Sequence, residues 1–415
     1  MKHRLSMVVA TAAVGALLAG CGGGGPSSGG GKVSDDKIVL GVLTDLSGVY
    51  ADIAGPNSVE AVQMAVDDFK KKYGDKAVTK NIEVIKADHQ NKPEVANTQA
   101  REMYDRKKAD ALFDVPTSSA ALAVQTIAGQ SKKLYFNTGA ATTELAGKTC
   151  NPYTYEWAYD AYMLAHGTGA KVTEQGGKNW YTIYPDYAFG QDMQAKFTAA
   201  IEGAGGKVVA HDPTPFPSDN YSTFLLKAPG LKPKPDVLGA LQAGGDLANV
   251  VKQYEQFKLK DKDIQLAIGL LFDSDIKAIG ADKLAGTMFT TAWFWNLDDE
   301  ARAWADRFKE RTGQRPTFDH AADYSAATHY LEAVQKAGTD KAEDVSKVLD
   351  GMEFSDFFAR NATVRKEDHR VVHDAYLVKV KAPADAKEDG DFTELVEKIP
   401  SDQAFDKPSP DCRMS

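Results

Sequence analysis

The sequence predicts an α/β fold built from two doubly wound domains. Three observations carry this. Short apolar segments alternate with amphipathic helical segments every 25–30 residues from Lys37 to Asn137, and such alternation implies a parallel sheet covered by helices. The rhythm lapses near 155–165 and resumes at Asn179. The chain has 415 residues, of which a 20-residue leader leaves 395, enough for two domains of ordinary size.

The elements follow in order. Lys37–Leu43 is a short apolar strand, and 46–55 is a loop with two glycines. Pro56–Phe69 places apolar residues at 59, 62, 66 and 69, one helix face, with Pro56 suited to a first turn. Asn81–Ala87, Ala111–Asp114 and Leu134–Asn137 read as strands, with helices over 93–107 and within 116–130. The second run has strands at 179–184, 207–210, 237–241 and 264–271. Its helices fall at 189–203, 221–226 and 247–257. Helices at 300–312 and 321–337 fit a return to the first domain. Residues 340–360 read as helical, and Val371–Val380 as one alternating strand. From 381 to 415 the chain is a polar, extended tail.

The amino terminus has the layout of a secretory signal: basic Lys2 and Arg4, an apolar run from Met7 to Leu18, then small residues. Leu18-Ala19-Gly20-Cys21 resembles the lipobox of a bacterial lipoprotein. That makes 1–20 a signal peptide and Cys21 the lipidated first mature residue. The alternative is a general secretory signal with an incidental cysteine. The apolar run is short of the ~20 residues that span a bilayer. Residues 21–36 are rich in Gly and Ser and form a flexible tether. The expected location is the periplasm, anchored by lipid to the extracytoplasmic face of a membrane.

Net charge is −9, and −11 once Lys2 and Arg4 are removed. With no basic stripe, this argues against nucleic acid as a partner. There are three cysteines. If Cys21 carries lipid, Cys150 and Cys412 remain, and an oxidising compartment favours a bridge between them. The alternative is two free thiols. Neither has the spacing of a zinc ligand, and no metal site or cofactor is expected. No HExxH or complete phosphate-binding loop occurs, and no GxSxG occurs beyond the Gly- and Ser-rich tether. Gly167-Thr-Gly169 lacks a third glycine, Ser274-Asp-Ile-Lys277 lacks the partners of an SxxK enzyme, and Asp88-His89 reads as structural. No catalytic residue is assigned.

Several segments, in this order and spacing, resemble the branched-chain amino acid binding type of ABC-importer solute-binding protein. They are KIVLGVLTDLSGVYADIAG (37–55), PTSSAALAV (116–124), FNTGAATTEL (136–145), YPDYAFGQDM (184–193), LQAGGDLANVVKQ (241–253) and LAGTMFTTAWFW (284–295). GKTCNPYTYEWAYDAY (147–162) looks like a subgroup that includes binders of aromatic acids. The resemblance implies the type 1 periplasmic binding protein fold: two Rossmann-like lobes joined by a three-crossover hinge. The crossovers would lie near Glu156–Asp160, Phe289–Ala292 and Val364–Asp368. Lobe one would be 37–157 plus 291–365, and lobe two 158–290 plus 366–380, with the tail returning to lobe one near Cys150. It implies a small-molecule ligand held between closing lobes, an ABC permease of the inner membrane as partner, and a monomer. An aromatic acid is the expected ligand. Branched-chain or other amino acids, amides, or a ligand-sensing receptor role are the alternatives.

The resemblance also implies a site. Thr117, Ser118 and Ser119 open a helix after a strand, where hydroxyls and free N–H groups suit a carboxylate. Ser119 is the expected contact, and N-capping the alternative. Ala140 and Ala141 match backbone contacts of relatives, with Thr142 standing one step past a common threonine. Tyr50 and Phe189 match aromatic positions, and Tyr187 stands near enough to supply the hydroxyl that Phe189 lacks. Gly245 and Asp246 match a ligand-facing turn, where Asp246 either meets an amine or caps a helix. Trp157, Tyr159, Trp293 and Trp295 gather at the hinge segments, as pocket walls or as hinge packing.

Overall fold

The computed structural model describes residues 33–414. Five parallel strands form the first sheet: β1 (Ile38–Thr44), β2 (Ile82–Asp88), β3 (Ala111–Asp114), β4 (Leu134–Asn137) and β5 (Thr154–Glu156), in the order β2-β1-β3-β4-β5. β1 reads IVLGVLT and all seven residues are buried, as a strand with helices on both faces requires. Gly41 is needed there, because a Cβ would run into Leu112 of β3. The second sheet holds β6 (Asn179–Pro185), β7 (Lys207–Thr214), β8 (Val237–Ala240) and β9 (Gln265–Ile268), in the order β7-β6-β8-β9, all parallel.

Strand order reverses between β1 and β3 in one sheet and between β6 and β8 in the other. At such switch points the following loops part and leave a crevice beyond the carboxyl ends of the strands. The loops concerned are 45–54, 115–117, 186–187 and 241–243. The two sheets point these ends at each other, which makes two mixed α/β lobes with a cleft between them.

An aromatic ladder stiffens the first lobe. Phe113, Phe136 and Tyr155 stand in register across β3, β4 and β5. Their rings stack at 5.2 Å in both steps, and His369 continues the stack 4.2 Å from Tyr155. Each such pair adds roughly 0.5–1.5 kcal/mol beyond its buried area.

The later chain departs from the sequence reading in instructive ways. Six further strands occur: β10 (Met288–Thr291), β11 (Glu353–Phe354), β12 (Ala362–Val364), β13 (Val371–Val372), β14 (Ala375–Val380) and β15 (Thr393–Ile399). The run expected as one strand over 371–380 is two strands in different sheets, β11-β12-β13 and β10-β14-β15. It breaks at His373, whose buried ring sits between the carbonyl oxygens of Ala158 and Asp374, 2.7 and 2.8 Å away. The helix expected over 340–360 stops at Leu349, and Gly351 turns the chain at φ +74°. The polar tail contains β15, an edge strand with most of its residues exposed, paired antiparallel to β14. Beyond it, Cys412 is bonded to Cys150, so the pair is a disulfide and not two free thiols.

The ordered fold begins before Lys37. Val33 is buried, and the Ser34 N–H donates to both carboxylate oxygens of Asp340 at 3.0 Å. The signal peptide, Cys21 and most of the tether lie outside the described residues. Gly167 and Gly169 have a packing explanation: a Cβ on the first would strike Thr290 of β10, and one on the second would press on Phe197 at 3.1 Å. Among the described residues no helix is long and apolar enough to cross a membrane.

Candidate functional site

Between the lobes lies a narrow apolar cavity of only about 10 Å³. The first lobe supplies Tyr50, Ile53, Pro116, Ser118, Gly139 and Ala141, and the second supplies Tyr187, Phe189, Ala243, Leu270 and Phe272. Tyr159, from the chain leaving β5, closes one side. That volume is far below the roughly 300–1,000 Å³ usual for ligand pockets, so the lobes stand closed on one another and must part to admit a ligand. A larger open hollow, lined by Asp236, Lys260, Gln265 and Thr287, lies at the amino ends of β8 and β9, away from the switch points.

The loop bearing Tyr50 is shaped by one acid. Asp45 accepts hydrogen bonds from the N–H groups of Gly48 (2.7 Å) and Tyr50 (2.9 Å) and from the Asn91 side chain. Asn91 in turn accepts from the Thr117 hydroxyl. Thr117 therefore anchors the turn and does not face the cavity. The next residue does: the Ser118 Oγ is buried, lines the cavity and has no protein partner. Ser119, the expected contact, is half-buried and off the lining.

The remaining expected residues divide. Ala141 lines the cavity, while its carbonyl accepts from Ala161 N–H at 2.8 Å. Ala140 is bracketed by the Asn137 amide, and the Thr142 hydroxyl accepts from Glu144 N–H at 3.4 Å; neither reaches the lining. Tyr50, Phe189, Tyr187 and Tyr159 all line it, and the Tyr159 hydroxyl donates to Gly139 O at 2.8 Å. Asp246 is buried just off the lining and accepts from Ser218 N–H at 3.2 Å; burial raises its pKa. Gly245 N–H meets Val49 O across the cleft at 3.4 Å.

The three tryptophans serve packing away from the cavity. Trp157 donates to Ser325 Oγ at 3.1 Å and lies against Phe136 and Phe354. Trp293 donates to Phe357 O at 2.9 Å, and Trp295 to Gly390 O at 2.8 Å with the Arg315 guanidinium over its face. Sequence reading missed Ile53, Pro116, Gly139, Ala243, Leu270 and Phe272. Leu270 and Phe272 follow the carboxyl end of β9, on the same sheet edge as the switch-point loops, and that place beyond a strand's carboxyl end is the signal that finds them.

Electrostatically the cavity favours an anion without offering a cation. The helices starting at Ser118, Ala188 and Gly244 open onto the cleft, and none has a side-chain cap. Uncapped N–H groups and the positive ends of helix dipoles suit a carboxylate. No charged side chain lines the cavity among the described residues. Closure is held by polar contacts as well. The Asp192 carboxylate accepts from Thr143 N–H at 2.6 Å and Thr143 Oγ1–H at 3.1 Å, joining the helix of lobe two to the GAAT turn of lobe one.

Behind the cleft lies a buried charged knot. Arg370, 2% exposed, lies 2.9 Å from Asp160 and 3.3 Å from Glu156. Asp160 takes the shorter contact, so burial wins at Glu156 and pushes its carboxyl up to about 8 despite Arg370. Isolated bridging of the Glu156 and Arg370 backbones ties β5 to the turn between β12 and β13.

Known proteins agree with this architecture. The periplasmic binding protein family matches residues 37–390. A periplasmic binding protein of Burkholderia mallei, of known structure, is 40% identical with a TM-score of 0.85, covering 89% of this chain and 96% of that one. A branched-chain amino acid ABC transporter periplasmic ligand-binding protein of Burkholderia xenovorans is 36% identical with a TM-score of 0.78, covering 89% and 96%. The Leu/Ile/Val-binding protein homolog 6 of Brucella melitensis is 24% identical, covering 83% of this chain and 88% of its own. A family match over most of the folded chain, on two lobes whose switch points face one cleft, identifies the chain as a member of the periplasmic binding protein family: a type 1, non-catalytic solute-binding protein of the ABC-importer kind.

Proposed function

We propose that this protein captures a small, mainly apolar carboxylate, best represented by an aromatic acid, and presents it to an ABC permease. One observation carries the reading: an aromatic-lined cavity faced by uncapped helix ends and the free Ser118 hydroxyl, with no ionised side chain on its lining. A carboxylate finds donors there. An ammonium group finds no charged partner, since Asp246 is engaged by Ser218. The lobes close over the ligand about crossings near Glu156–Asp160, Phe289–Ala292 and Val364–Asp368, with lobe boundaries as expected above. Closure follows from ligand bridging both lobes and shifting the population. The chain acts as a monomer, held to the membrane through lipid on Cys21.

A second reading is branched-chain amino acid capture. The printed names of the Burkholderia xenovorans and Brucella relatives support it. It requires Asp246 to leave the Ser218 N–H and turn to the ammonium. Thermal-shift and calorimetric titration with benzoate, 4-hydroxybenzoate, leucine and valine separate the two. Stabilisation by the aromatic acids and not by leucine is the expected result. Stabilisation by leucine or valine alone overturns the aromatic reading.

A further inference from the structure

Beneath the ligand turn lies a group of carboxylates that the binding site does not use. Asp114 ends β3, and Asp319 and Asp323 stand one helical turn apart on the helix Phe318–Ala337. All three are buried, and one oxygen of each lies within 4.8 Å of the others. Three points so placed share a centre no further than about 2.8 Å from any of them. Both oxygens of Asp114, both of Asp319 and one of Asp323 receive no hydrogen bond of good geometry, although the Thr44 and Ser58 hydroxyls and the Asp319 carboxyl stand close to Asp114. The remaining oxygen of Asp323 accepts from the Thr138 hydroxyl at 2.5 Å.

A second group points the same way. The Ser58 hydroxyl is fully buried, makes no hydrogen bond of good geometry, and is aimed at the carboxyls of Asp114 and Asp323. No lysine or arginine side chain forms an ion pair with any of the three acids among the described residues. His320, next in sequence to Asp319, turns its ring to Ala54 O and Thr317 N–H. Burying this much negative charge without compensation is prohibitive. The place makes it worse for the proposed ligand: a Cβ on Gly139, which lines the cavity, would lie 2.7 Å from Asp114 Oδ1. Uncompensated carboxylates there would repel an anion in the cleft.

We propose that Asp114, Asp319 and Asp323, with the Ser58 hydroxyl, hold a hard divalent cation, best matched by Ca²⁺. The donors are all oxygen, which selects Ca²⁺, Mg²⁺ or Mn²⁺ over softer metals. Ca²⁺ takes oxygens at about 2.3–2.6 Å, within a few tenths of an ångström of the common centre, whereas Mg²⁺ needs about 2.0–2.1 Å. One divalent ion and one retained proton neutralise the three acids. The ion enters as the lobe folds and fixes the turn 115–118 that carries Ser118.

The test uses the full mature chain. It is unfolded in guanidinium with a chelator, then refolded in metal-free buffer with or without CaCl₂. About one calcium per chain should survive dialysis, measured by elemental mass spectrometry. The calcium-refolded protein should melt about 5 °C higher than the metal-free one. Asp319→Asn should cut the retained calcium at least tenfold and abolish the shift. Should that variant fail to fold, Tb³⁺ bound to the wild type, sensitised by nearby Tyr159 and displaced by Ca²⁺, reads the same site. A wild type that retains no metal and melts unchanged in millimolar Ca²⁺, Mg²⁺ and Mn²⁺ overturns the proposal and leaves protons as the neutralising charge. A calcium shift equal in wild type and Asp319→Asn overturns it too, by placing the ion elsewhere.

Discussion

The phenolic oxygens of Tyr50 and Tyr187 lie 2.6 Å apart and join the two lobes across the mouth of the cavity. Tyr50 belongs to the loop held by Asp45, and Tyr187 immediately precedes the helix Ala188–Gly203. Phe216 packs beside both rings, 5.8 Å from Tyr50 and 4.4 Å from Tyr187. The pair can form only when the lobes are closed. Tyr187→Phe keeps the ring and removes one hydroxyl. A neutral hydrogen bond contributes about 1 kcal/mol net, so ligand affinity should fall about fivefold with the melting temperature nearly unchanged. Calorimetric titration checks this, and an unchanged affinity would show that the contact does not favour closure.

Ser118→Ala and Ser119→Ala separate two adjacent hydroxyls. A hydrogen bond to a charged group is worth about 1.5–3 kcal/mol, so Ser118→Ala should weaken carboxylate binding roughly tenfold to a hundredfold. Ser119→Ala, off the lining, should stay within about 0.5 kcal/mol. Equal losses in the two variants would remove Ser118 from its assigned role.

Arg370 is the cation of a buried charge knot. Arg370→Met keeps bulk but strands Glu156 and Asp160. Removing one partner of a buried pair typically costs about 3–5 kcal/mol. Urea denaturation should register a loss of that size, large against the marginal stability of a folded domain. A loss below about 1 kcal/mol would mean that the acids are neutral without Arg370.

Glu156 makes stability depend on pH. Its carboxyl titrates near 8 when folded against an ordinary 4.5. The folded state therefore binds the proton more tightly than the unfolded chain. Its contribution is fully present below about pH 4.5 and is lost as pH rises through about 8. The slope is up to about 1.4 kcal/mol per pH unit in that window. Glu156→Gln should flatten this part of the stability profile, measured by denaturation between pH 5 and 9. An identical profile in both proteins would place the titration elsewhere.

Much of the fold is legible as alternation, because buried parallel strands such as Ile38–Thr44 are continuous apolar runs and their helices are amphipathic. The same logic fails where one pattern serves two sheets. Residues 371–380 alternate without interruption, and only the docking of His373 between Ala158 and Asp374 divides them. β15 escapes because an exposed edge strand reads as polar tail. In the site, one residue along a helix start turns a side chain by about 100°, so a motif that finds 117–119 does not choose Ser118. Aromatic residues at the hinge announce packing density but not which side they face, as Trp157 and Trp293 demonstrate. Asp114 and Asp319 meet only in three dimensions, and no local pattern pairs them.

The bond between Cys150 and Cys412 joins residues 262 positions apart. The whole of the second sheet and the chain after it as far as Cys412 lie inside that covalent ring. A protease of the periplasm would find exposed chain at 387–389. One cut there opens the ring without releasing a fragment. The nicked molecule travels as a single species until a reductant is added, and its sheets keep their partners while it does.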